Sequence, residues 1–148
     1  RLRRLTPAAW IAVVGTVAGA VAFGWFVSGI PFSTFDLGSA IGPASGVALM
    51  AAMLFVPQLL VVFLLATKDR GTRIGGIVIG GFAAVAGLGM GVMWLSGAQF
   101  EGQSYDVKAL GLWLPLIVMG IIDGIAAAVA LLALRREETP KLPCTSAA

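Results

Sequence analysis

Residues 44–97 read ASGVALMAAMLFVPQLLVVFLLATKDRGTRIGGIVIGGFAAVAGLGMGVMWLSG, two apolar runs joined by a short basic loop, and that pattern dictates a membrane hairpin. Ala44 to Ala66 and Ile74 to Gly97 each exceed the roughly 20 residues that cross ~30 Å of hydrocarbon as a helix, and neither contains a charge. Working outward, Pro7 to Ile30 is a third such run and Ala109 to Leu134 a fourth. The expected fold class is therefore an all-α integral membrane protein with four transmembrane helices. Residues 1–148 form one four-helix domain with short tails. The run after Arg1 to Arg4 is too long for a signal peptide and lacks a small-x-small cleavage site, so it reads as the first span.

Nine of the ten Lys and Arg residues lie in the three segments that four crossings place together: Arg1, Arg3 and Arg4; Lys68, Arg70 and Arg73; Arg135, Arg136 and Lys141. Only Lys108 lies on the other side. The excess of basic residues marks the cytoplasmic face, so both termini are expected in the cytoplasm and the protein in the plasma membrane. Trp25, Trp94, Trp113 and Tyr105 fall near the outer interface and Trp10 near the inner one, where amphipathic rings settle. With 59% hydrophobic residues and a mean hydropathy of +0.98, too little polar surface remains to solvate a globular domain. The net charge of +3 comes from small clusters flanking helices, which anchor topology and do not point to nucleic acid.

Chemistry is restricted by what is missing. The chain has no histidine and one cysteine, Cys144, so no Ser-His or Cys-His nucleophile, histidine-ligated haem or internal disulfide is available. No cofactor and no metal are expected, and an enzyme acting alone is not indicated.

Shifting the chain by 68 positions aligns Val17-Ala18-Gly19 with Val85-Ala86-Gly87 and Ser28-Gly29 with Ser96-Gly97. Two added residues later Phe35-Asp36-Leu37 meets Tyr105-Asp106-Val107, and at a shift of 67 Leu64 to Lys68 meets Leu131 to Arg135. Two tandem helical hairpins, a parallel internal repeat, are expected from this match. Phe35, Asp36, Tyr105 and Asp106 form an outer-loop motif that either grips a partner or caps the following helices. Helices in lipid associate by close backbone approach, and Gly15, Gly19, Gly24, Gly76, Gly80, Gly87, Gly91, Gly120 and Gly124 lie in small-residue rows suited to it.

One charge interrupts the spans. Asp123 near the middle of the fourth costs about 2.5 to 3.5 kcal/mol on insertion scales, which thirteen Leu, Ile and Val residues outweigh at roughly 0.3 to 0.6 kcal/mol each. The repeat, at a shift of 67, places Asp123 and Gly124 at the depth of Val56 and Pro57 in the second span, with Gln58 beside them. Proline donates no N–H, so it frees the Met53 carbonyl, and Asp123 is expected to bond that carbonyl or the Gln58 amide. No Lys, Arg or His lies in the spans as a counter-ion, so a neutral carboxyl is expected.

Two functions fit these residues. One is a non-catalytic accessory or assembly subunit that docks through helix faces and outer loops on other membrane subunits. The alternative is a small proton- or cation-coupled transporter or channel, working as a homo-oligomer through Asp123.

Overall fold

The computed structural model describes residues 5–29, 37–96 and 111–139. They form four helices: α1 (Pro7–Ser28), α2 (Leu37–Ala66), α3 (Arg70–Leu95) and α4 (Trp113–Glu138). All four are long and apolar enough to cross a membrane. The outer-loop residues Phe35, Asp36, Tyr105 and Asp106 lie outside the described part of the chain.

Local chemistry sets the boundaries and moves some of them from where hydropathy alone puts them. Thr6 caps α1 by accepting from the Ala9 N–H at 3.2 Å, and Pro7 follows where its missing donor costs nothing. The same hydroxyl donates to the Leu65 carbonyl at 2.8 Å, tying the start of α1 to the end of α2. α3 begins at Arg70 and not Ile74, because Asp69 caps it, accepting from the Thr72 hydroxyl at 2.7 Å and the Thr72 N–H at 2.9 Å. Those bonds hold the Asp69 carboxyl below the usual carboxylate range, led by the one from the Thr72 side chain. The cap is thus intact above the ordinary aspartate range and is lost as pH falls through its lowered value. α2 begins at Leu37, earlier than Ala44, and so adds a first part that contains two glycines and a proline to the apolar run.

The start of α4 shifts the other way, from Ala109 to Trp113, for a backbone reason. Gly111 has φ 77°, a left-handed conformation that does not continue a right-handed helix, and its carbonyl accepts from the Leu114 N–H at 3.1 Å. The Trp25 ring of α1 lies against its Cα, where a side chain would stand. Gly111→Ala is therefore expected to lower stability by about 1 to 2 kcal/mol for the backbone alone, with a further loss as Trp25 is displaced. Thermal unfolding in mild detergent measures this, and an unchanged midpoint contradicts the role given to Gly111. Pro115 is fully buried in the first turn of α4, where its nitrogen interrupts no intrahelical bond.

α4 is the central element. It packs most closely against α3 and α1, while α2 touches α1 and α3 more sparsely. At the end rich in basic residues, Arg73 pairs with Glu137 at 2.9 Å and Arg70 pairs with Glu138, fastening α3 to the last turn of α4. Apart from Arg73, 16% exposed, their side chains are more than half exposed, and such pairs contribute about 0 to 1 kcal/mol each. Apolar packing does most of the joining. One cluster, Ala8, Ala9, Ala12, Val61, Leu65, Ala126 and Ala130, fills the basic end of the bundle, and another, around Phe23, Phe26 and Leu112, fills the opposite end. Phe23 meets Phe55 edge-on with ring centroids 5.8 Å apart.

Candidate functional site

Between the two apolar clusters lies a polar pair. Gln58 on α2 and Asp123 on α4 are each 2% exposed, the buried polar side chains among the described residues. The Gln58 amide donates to Asp123 Oδ1 at 2.6 Å and reaches the Ala12 carbonyl of α1 at 3.4 Å. One carboxamide thereby joins three helices. Of the two bonds open to Asp123, the structure shows the one with Gln58; among the described residues none runs to the Met53 carbonyl.

Glycines make room for this arrangement. A Cβ on Gly15 would stand 2.6 Å from Ile122 Cγ2 and 3.5 Å from Gln58 Nε2, so only a bare α1 backbone lets the amide and α4 approach together. On the far side a Cβ on Gly80 would lie 3.9 Å from the Asp123 carbonyl oxygen. All four helices therefore converge at the depth of the acid. Gly19 faces Met119, Gly76 faces Leu64 and Leu65, Gly91 faces Ile117, and Gly124 faces Ala84. Gly87 and Gly120 form the tightest crossing, where a Cβ on either would come within about 3.0 Å of the other helix's backbone. Gly24 differs: nothing lies within 4 Å of the position its Cβ would take. Small residues in a row do not say which of them meets another helix.

Beside the pair, α2, α3 and α4 line a cleft of about 220 Å³. Pro57, Gln58 and Met53 come from α2, Phe82, Ala86 and Met90 from α3, and Met119 and Asp123 from α4. Met53 and Phe82, 71% and 76% exposed, stand at its mouth on the apolar outer surface. The cleft opens sideways, toward the layer that lipid would occupy, and narrows where Gly76 and Gly80 bring α3 against Leu64, Leu65 and Val61. Sequence reasoning brought Asp123, Gln58 and Pro57 to one depth but missed this space. Its only trace in the chain is the run of small residues Ala83, Ala86 and Gly87 on the α3 face turned to Pro57.

Chemically the pair can accept hydrogen bonds and can hold or release one proton. Groups of three or more His, Cys, Asp and Glu side chains able to hold a metal do not occur among the described residues. No protein-family model, curated protein or solved structure matches the chain.

Proposed function

We propose that the protein is a non-catalytic accessory or assembly subunit of a larger membrane complex. It is a multi-pass protein of the plasma membrane with both termini in the cytoplasm. The observation that carries this reading is the closure of the bundle around Asp123. Ala126, Ala130, Val61 and Leu65 pack on one side of the acid along the bundle axis, and Phe23, Phe26 and Leu112 on the other. A polar pair sealed at both ends suits a structural pin better than a conducting path. Outer rows such as Val56, Leu59 and Phe63 on α2 and Val78, Phe82 and Val85 on α3 then serve contact with lipid or with another subunit.

Orientation follows from the lysine and arginine bias, which gathers Lys68, Arg70, Arg73, Arg135 and Arg136 at one end. A duplicated hairpin accounts for the matching sequence segments. Ser28 and Ser96, which that match aligns, each donate a hydroxyl bond to the carbonyl three residues back, at 2.7 and 2.9 Å. Purification in mild detergent should bring down a larger membrane protein in fixed stoichiometry. A chain that emerges alone or as a homodimer defeats the subunit reading.

The lateral cleft favours a second reading, a small oligomeric transporter coupled to protons or cations through Asp123, with α2 swinging about Pro57. In proteoliposomes this requires flux that Asp123→Asn abolishes, and a wild-type protein without flux removes it.

A further inference from the structure

We propose that the cleft between α2 and α3 binds a small amphiphilic primary amine that enters sideways from the bilayer. The inference goes beyond both readings above, since it needs neither a partner subunit nor transport.

The cleft offers acceptors and an acid. Both N–H groups of Gln58 are directed elsewhere, one to the Ala12 carbonyl and one to Asp123 Oδ1. Pro57 denies the Met53 carbonyl its ordinary helical donor, and both residues line the space. Asp123 lines it too, and the Gln58 amide bonds its Oδ1. No Lys, Arg or His lines the cleft as a counter-ion for that carboxyl. The complementary guest is therefore a base that becomes a donor on arrival.

A free amine dissolves in lipid and passes the apolar mouth between Met53 and Phe82. At Asp123 the carboxyl O–H bond breaks and an N–H bond forms, the proton moving from oxygen to the amine nitrogen without any other reagent. An ammonium beside a carboxylate results, with N–H donors for the Met53 carbonyl as well. Charge and counter-charge appear together, which avoids the cost of burying either one unpaired. The apolar part lies against Phe82, Met90 and Met119, whose thioethers adapt to varied shapes. At about 220 Å³ the space is smaller than the roughly 300 to 1,000 Å³ typical of drug-sized sites, so it suits one short alkyl chain.

Calorimetric titration of the full chain in nanodiscs with octylamine, octanol and octyltrimethylammonium tests the proposal. Octylamine should bind saturably, one per chain, at least ten-fold more tightly than the other two probes. Asp123→Asn should weaken it at least ten-fold. Ala86→Phe, which fills the cleft without altering the acid, should do the same, and it decides the matter should the Asp123 variant fail to fold. Non-saturable uptake, equal uptake by wild type and the Ala86 variant, or octanol binding as tightly as octylamine overturns the proposal.

Discussion

Replacing Gln58 by leucine is expected to destabilise the bundle more than replacing Gln58 and Asp123 by leucine together. The single change leaves a buried carboxyl, 2% exposed, without its donor, and stranding such a group costs about 1 to 3 kcal/mol. The double change removes the donor and the acceptor at once and puts apolar side chains between helices already packed with Val61 and Ala127, which is often close to neutral. Interhelical hydrogen bonds in membranes contribute only ~0.6 kcal/mol on average and up to ~1.7 kcal/mol. The expected penalty of the single variant thus comes from the stranded acid more than from the lost bond. Unfolding midpoints of wild type, both single variants and the double variant in one detergent close the cycle. A double variant less stable than Gln58→Leu would mean that the pair holds the helices together outright.

The other large effect is expected where α3 crosses α4. A Cβ on Gly120 would come 3.0 Å from the Leu88 nitrogen and 3.1 Å from the Ala84 oxygen, and one on Gly87 would come 3.0 Å from the Leu116 oxygen. These neighbours are backbone and have no rotamer to change. Gly120→Val must therefore push the two helices apart, at about 1 to 3 kcal/mol or more. The cleft, walled by both helices, should widen with it. Gly24→Ala and Gly89→Ala provide the contrast. Nothing stands within 4 Å of either Cβ position, so each should gain about 0.5 to 1 kcal/mol from helix propensity alone. Equal losses at Gly120 and Gly89 would show that close approach is not what these glycines provide.

The four helices were legible because hydrophobic length is a one-dimensional quantity: twenty-odd uncharged residues have few other homes. Their ends were less so. Hydropathy does not register the hydroxyl and carboxylate bonds by which Thr6 and Asp69 start helices, nor the left-handed Gly111 that delays α4. Within the site, Asp123 stood out as the lone charge of the spans, and the repeat brought it to the depth of Gln58. The third partner was invisible, because a backbone carbonyl such as that of Ala12 leaves no mark in sequence. The cleft was hidden for a related reason. It lies between α2 and α3, and the spacing of helices depends on which small residues actually touch, as Gly24 and Gly80 illustrate by doing opposite things.

The central place of α4 has a consequence for biosynthesis. Translation delivers α4 after the other three helices, yet both α1 and α3 pack on it most closely. Until it leaves the ribosome, three inserted segments must wait in lipid with the Gln58 amide lacking its acidic mate and the glycine grooves of α1 and α3 unfilled. A nascent chain halted before Trp113 should consequently be inserted but unassembled, a natural substrate for membrane quality control.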